Sequence, residues 1–140
     1  MLFGKRSRKI NRLLIVEDEP LIAFDNEYFL QQAGYDVVAT VDTVAKAVAS
    51  IKEHELDLVL ADVSLSDGGN GLDVAYAAQA RGVPLMFVTG LCPVDAQALA
   101  VGCLAKPYSQ RELLAAIEAV EARRAGRKPK RVPSSFTLFG

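Results

Sequence analysis

The amino-acid sequence predicts an α/β domain built on a parallel sheet, doubly wound with helices on both faces, and three features of the chain carry that prediction. Short apolar runs and amphipathic segments alternate five times within about 115 residues, the pattern of repeated strand-to-helix crossovers. The runs, such as Leu13-Leu14-Ile15-Val16 and Leu58-Val59-Leu60-Ala61, are continuously apolar, as strands buried on both faces are. Each run stops on charged, hydroxyl-bearing or glycine residues, where a loop at the edge of the sheet begins.

The first strand ends at Val16 and gives way to Glu17-Asp18-Glu19 and Pro20, a residue suited to the first turn of a helix because no intrahelical partner awaits an N–H there. That helix is predicted over 20–33, with apolar Leu21, Ile22, Phe24, Tyr28, Phe29 and Leu30, and Gly34 as its stop. Residues 35–41 make the second strand. Asp42 or Thr43 caps the next helix, whose stripe of Val44, Ala47, Val48, Ile51 and Glu55 leaves Lys46, Lys52 and Glu53 outside. The third strand, 58–61, leads to Asp62 and a loop rich in Gly, Ser, Asp and Asn. A helix carrying Leu72, Val74, Ala75 and Ala78 closes at Gly82, and the fourth strand, 84–88, stops at Thr89-Gly90. A short, weakly amphipathic helix is predicted over 93–101.

The fifth strand, 102–105, stops at Lys106-Pro107. Ser109-Gln110-Arg111-Glu112 then forms a capping box ahead of a helix with Leu113, Leu114, Ile117 and Val120 on its inner side. From Gly126 onward, Pro, Gly and basic residues signal a tail, yet its end, Ser135-Phe136-Thr137-Leu138-Phe139, is apolar enough to dock on the domain or on a partner. The expected organisation is a basic N-terminal tail over 1–9, one domain over 10–125 and a basic, apolar-ended tail over 126–140, with no output domain.

A chain of 140 residues, 51% hydrophobic and 24% charged, suffices for one core and describes a soluble globular domain. Its net charge of -1 conceals a segregation. Between Leu13 and Ala122 stand five basic residues against all 17 acidic ones, a net of -12, while the other eleven bases lie at the ends. The basic ends are expected as solvated tails, since no aromatic residues interleave with them to stack on nucleic-acid bases. No run approaches the ~20 apolar residues of a membrane span, and no signal-peptide core follows Met1, so the expected location is the cytoplasm. Cys92 and Cys103 form no CxxC pair and no ligand group with His54, the one histidine. Zinc and thioredoxin-type chemistry are therefore not expected, and both cysteines are expected as small buried apolar residues. His54 is expected to be structural or at the surface.

Parallel strands place their C-terminal ends on one edge, where ligands of such sheets bind. That edge gathers Glu17 and Asp18 after the first strand, Asp62 at the third, Thr89 at the fourth and Lys106 at the fifth. Three carboxylates brought together repel, by ~4 kcal/mol for each pair 4 Å apart at an effective dielectric near 20. A divalent cation and Lys106 would compensate. Mg²⁺ suits a few carboxylates with open positions for phosphate oxygens, whereas Asp62, Ser64, Ser66 and Asp67 lack the final glutamate of an EF-hand loop. A carboxylate, a metal, a hydroxyl and a fixed ammonium are the parts of phosphoryl transfer to an aspartate. The bland reading of each residue taken singly is that it caps or solvates a strand end.

Ile15-Val16-Glu17-Asp18-Glu19-Pro20, Ala61-Asp62-Val63-Ser64-Leu65, Val88-Thr89-Gly90 and Ala105-Lys106-Pro107-Tyr108 closely resemble the site segments of response-regulator receiver domains, the CheY-like family, over about residues 10–125. The resemblance implies a flavodoxin-like (βα)5 fold with strand order 2-1-3-4-5. It implies phosphorylation of Asp62 by a histidine kinase or histidine phosphotransfer protein, with Thr89 and Lys106 stabilising the phosphoryl group. It also implies Mg²⁺ held by Glu17, Asp18, Asp62 and the Ser64 backbone carbonyl, and a cis bond before Pro107. Ser64 and Leu91 would flank the phosphoryl group and tune its lifetime. Cys103 stands where the family usually places a Tyr or Phe that switches with the threonine, so that coupling is not expected here. The segment from Pro84 to Gly90 further resembles the Pro-Phe-x-Phe-Ala-Thr-Gly signature of the FATGUY group of alphaproteobacterial single-domain receivers, which also lack that aromatic. Leu85 and Val88 depart from the signature, and Leu91 stands where an aromatic can follow.

The function these readings imply is a stand-alone response regulator of a two-component phosphorelay that acts through a protein partner or as a phosphate sink rather than as a turnover enzyme, and the resemblance to the FATGUY group implies general stress signalling. The surface of the fourth helix, fifth strand and fifth helix is expected to change its partner affinity on phosphorylation. Three rivals are a phosphorylation-independent pseudo-receiver, nucleic-acid binding through the basic ends, and a haloacid-dehalogenase-type phosphatase. The phosphatase resembles Asp-x-Asp at its nucleophile, and Ser64 occupies the place of its second acid.

Overall fold

The continuously apolar runs bury both of their faces. In the computed structural model, which describes residues 10–65, 68–94 and 97–140, the elements follow in the order β1 (Arg12–Val16), α1 (Pro20–Gln32), β2 (Asp36–Val41), α2 (Val44–Glu53), β3 (Leu58–Ala61), α3 (Gly71–Ala80), β4 (Leu85–Thr89), β5 (Gly102–Ala105), α4 (Gln110–Arg124) and β6 (Phe136–Leu138). The sheet order is β2-β1-β3-β4-β5-β6. Its first five strands are parallel, in the flavodoxin-like 2-1-3-4-5 order, and β6 runs antiparallel to β5.

Successive side chains of a strand point to opposite faces, so each strand feeds two cores. Leu13, Ile15, Leu58, Leu60, Met86, Val88 and Leu104 pack with Leu30 of α1 and with Leu113, Ala116, Ile117 and Val120 of α4. Leu14, Val16, Val59, Ala61, Leu85, Phe87 and Cys103 pack with Ala47 and Ile51 of α2 and with Val74, Ala75 and Ala78 of α3. Three helix starts carry side-chain caps: Thr43 accepts from Lys46 N at 3.2 Å, Asn70 from Leu72 N at 2.8 Å, and Ser109 exchanges both capping-box bonds with Glu112.

The structure departs from expectation in three places that bear on function. The predicted helix over 93–101 is not an α-helix among its described residues. Val94 has 3₁₀ geometry and residues 97–99 form a turn, while residues 95 and 96 lie outside the described set. The reason lies in the side chains. Val94 is exposed, Leu99 and Ala100 pack against one core and Val101 against the other, so no single stripe repays the nucleation of so short a helix. Four α-helices rather than five are thus present among the described residues, and the expected output surface lacks its fourth helix.

The second departure is β6, formed from the apolar end of the tail. Phe136 is buried in the α1 and α4 core. Its ring lies over Gly102, where an added Cβ would stand 2.5 Å from the ring's Cζ. Backbone bonds from Ala105 N to Ser135 O and from Phe139 N to Val101 O, both 2.9 Å, extend the pairing beyond β6 itself. The added strand covers the backbone donors and acceptors that an edge strand would leave open. Third, α1 turns an apolar stripe outward: Leu21, Phe24 and Tyr28 are 79%, 67% and 57% exposed. Asn26 faces inward instead, and donates to the Tyr108 hydroxyl at 2.8 Å.

Candidate functional site

The register of the parallel strands decides what meets at the C-terminal edge. Val16 pairs with Ala61, and the next residues on, Glu17 and Asp62, share one end of the β1–β3 pair. Asp62 N donates to Val16 O at 3.0 Å, which fixes the carboxylate beside Glu17. Thr89 pairs with Ala105 and its carbonyl accepts from Lys106 N at 2.9 Å, which brings the β4 and β5 ends together.

Lys106 is the hub. Its Nζ lies 2.8 Å from Asp62 Oδ2, 3.0 Å from Glu17 Oε1 and 3.4 Å from Glu19 Oε2. Asp62 and Glu17 are only 5% and 4% exposed, so these are pairs held largely away from water. Burial alone would lower the Lys106 pKa, but the hydrogen bonds it donates to Asp62 and Glu17, with their charges, outweigh it and hold the ammonium above the ordinary lysine range. Glu17 moves the other way for a carboxylate. Its burial raises the pKa, against the opposing pull of Lys106 and of the Glu19 N–H that donates to it at 3.1 Å. Tyr108 is likewise raised by burial, partly offset by the bond from Asn26.

Asp18 completes an acid cluster in which one oxygen each of Glu17, Asp18 and Asp62 lie within 4.8 Å of one another. One ammonium does not balance three clustered carboxylates. The donor set, hard carboxylate oxygens next to an open cavity, fits Mg²⁺. That cavity, of about 840 Å³, is walled by Asp18, Glu19, Asp62, Ser64, Thr89, Leu91, Cys92 and Lys106 among others.

The residues expected at the phosphoryl site each have a definite place. Thr89 is buried at the cavity wall, and Ser64 N donates to Asp62 Oδ1 at 3.2 Å. Leu91 is exposed at the mouth, and the Lys106–Pro107 bond is cis. Gly71 closes the β3 loop from behind: a Cβ there would collide with the Asp62 carbonyl oxygen. Ser66 and Asp67 of that loop lie outside the described residues.

Two features went unforeseen. Glu19, noted only as part of an acidic run, reaches Lys106. Cys92 and Cys103, expected as unpaired apolar residues, are joined in a disulfide. Their separation of 11 residues matches no spacing rule, but β4 and β5 are neighbours, with Phe87 opposite Cys103. The chain beyond Thr89 turns back and brings the two Cα atoms within 6.1 Å, inside the bridging range.

A 2-1-3-4-5 sheet with an acid cluster, a threonine and a lysine at its strand ends has the architecture of a receiver. Residues 13–118 match the family model of the response regulator receiver domain, and the chain belongs to that family, the receivers of two-component signalling. It is 40% identical over 79 residues to the phyllosphere-induced regulator PhyR of Methylorubrum extorquens, an alignment covering 55% of this chain and 30% of that protein. The crystal structure of a mutant of the anti-anti-sigma factor PhyR from Bartonella quintana aligns with a TM-score of 0.71 and 26% identity, over 86% of this chain and 52% of that one. The solution structure of SdrG from Sphingomonas melonis Fr1 aligns with a TM-score of 0.69 and 34% identity, over 81% and 98%. The chain thus spans less than a third of the curated PhyR and about half of the Bartonella chain.

Proposed function

We propose that this chain is a phosphoryl-accepting response regulator in which Asp62 is the acceptor. The observation that carries the reading is the convergence of Asp62, Lys106, Thr89 and the acids Glu17 and Asp18 on one cavity at the C-terminal edge of the sheet. In the proposed reaction an oxygen of the Asp62 carboxylate attacks the phosphorus of the donor, and the bond from phosphorus to the donor's nitrogen or oxygen breaks. Lys106 stays charged throughout and compensates the phosphoryl oxygens, and the Thr89 hydroxyl donates to one of them. Glu17, Asp18, Asp62 and the Ser64 carbonyl would hold Mg²⁺, which supplies the further positive charge that the phosphoryl oxygens need. Ser64 and Leu91, at the wall and mouth, would set how readily water reaches the acyl phosphate.

The donor in this reading is a phosphohistidine on a kinase or phosphotransfer protein. The outward stripe of Leu21, Phe24 and Tyr28 begins one residue beyond the Glu19-Pro20 corner and offers such a partner an apolar footing. The chain would act as a signalling protein rather than a turnover enzyme, passing its state to a protein target or draining phosphate from the kinase. It would do so in the cytoplasm; among the described residues no helix is long and apolar enough to cross a membrane. The likeness to PhyR and the segment from Pro84 to Gly90 favour a general stress pathway.

Acetyl phosphate with Mg²⁺, followed by intact mass, tests the acceptor. The wild type should gain one phosphoryl group and Asp62→Asn none; a wild type that gains none from acetyl phosphate or from a phosphorylated phosphotransfer protein is a pseudo-receiver. Phe24→Ala should slow transfer from the protein donor by about tenfold and leave acetyl phosphate uptake unchanged. Equal slowing of both would remove α1 from the docking surface.

A further inference from the structure

Receiver chemistry makes no use of the cysteine pair. We propose that Cys92 and Cys103 form a reversible thiol–disulfide modification site whose oxidised state slows phosphoryl uptake at Asp62; the coupling half of this inference rests on the receiver reading above.

Cys103 is fully buried on β5, opposite Phe87 of β4 and Thr137 of β6. Cys92 is half-buried and walls the same cavity as Asp62, Thr89 and Lys106, so a small thiol that enters the cavity reaches its sulfur. The bond joins the chain three residues beyond Thr89 to a point three residues before Lys106. It therefore ties together the two connections that carry the phosphoryl-contacting side chains.

The chemistry balances with an ordinary thiol as reductant. A thiolate attacks Sγ of Cys92, the accessible sulfur, and Cys103 leaves as a thiolate that takes up a proton, since its apolar surroundings disfavour the charge. A second thiol attacks the mixed disulfide and leaves Cys92 as a thiol, so two electrons and two protons enter the protein and one small-molecule disulfide is released. Disulfides in reducing compartments are characteristically transient and redox-sensing, which suits the cytoplasmic setting proposed for this chain.

Oxidation pins Gly90, Leu91 and Cys92 to β5. A phosphoryl group entering the cavity needs the Thr89 hydroxyl and the backbone after it to settle around its oxygens, and small misplacements there are costly. Reduction restores that freedom and returns Cys103 to the role of a small apolar core residue.

The test uses the full chain in glutathione buffers of graded ratio, with alkylation and intact mass to count free thiols. The expected result is one transition from two alkylatable cysteines to none. Persistence of two free thiols in the most oxidising buffer overturns the modification site. Both forms are then given acetyl phosphate and Mg²⁺. The oxidised form should take up phosphate about fivefold more slowly or worse, and Cys103→Ala, which lies outside the cavity wall, should match the reduced wild type in every buffer. Cys103→Ser breaks the same bond if Cys103→Ala does not fold. Equal uptake by the two forms, or faster uptake by the oxidised one, overturns the coupling. Failure of both forms to take phosphate overturns the receiver reading and the coupling with it, while the thiol count still decides the modification site on its own.

Discussion

At the C-terminal edge of the sheet, Glu17, Asp18 and Asp62 crowd around one ammonium; along the β5 side, an aromatic ring fills a space that a glycine keeps open. Both regions bury side chains contributed from distant points of the chain, but they do so against opposite costs. At the first, the groups are charged, and their burial costs more than packing returns unless counter-charge is present. At the second, the groups are apolar and burial itself is the gain. Substitutions at the edge should therefore strike chemistry, and substitutions along β5 should strike stability.

The largest effect tests the edge. Lys106→Met keeps the aliphatic stem but removes the cation bonded to Asp62 and Glu17, so uptake of phosphate from acetyl phosphate should fall about 100-fold or more, read as the rate of mass gain. A rate within about tenfold of the wild type would mean that the ammonium is a structural counter-ion with little part in the reaction.

The next effect tests the β5 side. Phe136→Ala empties a buried site between β5 and α4 and should lower stability by about 3 kcal/mol, seen as a lower midpoint in urea. Phosphoryl uptake under folding conditions should be unchanged. If uptake falls as well, the two regions are mechanically joined through β5, whose ends carry Gly102 under the ring and Ala105 next to Lys106.

The edge was legible in the sequence for a simple reason. Asp62, Thr89 and Lys106 each terminate an apolar run, and parallel topology converts the ends of such runs into neighbours. What was not legible depends on contacts that no local pattern encodes. Cys92 and Cys103 meet only because β4 and β5 lie side by side and the chain turns back after Thr89. The tail's apolar end left open whether it would dock on the domain or on a partner, and the absence of a Cβ at Gly102 is what admits the Phe136 ring. The segment 93–101 has apolar residues enough for a helix, but they divide between two cores. On α1, the apolar residues could not declare which side faced inward, and Asn26, bonded to Tyr108, took the place that composition would assign to Phe24.

The smallest effect lies where the two regions join. Glu112 accepts from Ser109 N at 2.7 Å to close the cap of α4, just past the Lys106–Pro107 corner, and its other oxygen accepts from the Ser135 hydroxyl at 2.9 Å, just before β6. These bonds, that from the Ser109 backbone first, hold its pKa below the ordinary carboxylate value of 4.5. A lowered folded pKa means that the charged form contributes stability fully above the ordinary value and loses it as pH falls through the lowered one. Glu112→Gln should therefore melt below the wild type at neutral pH, and the gap should close in acid once both proteins carry an uncharged side chain at that position. Ser109→Ala, which removes the reciprocal acceptor at 3.1 Å from Glu112 N, should cost about 1 kcal/mol. Because Ser109→Ala leaves the Glu112 carboxylate and its backbone donor in place, its cost should persist in acid, and a gap that closes for both variants alike would place the pH dependence elsewhere than in this cap.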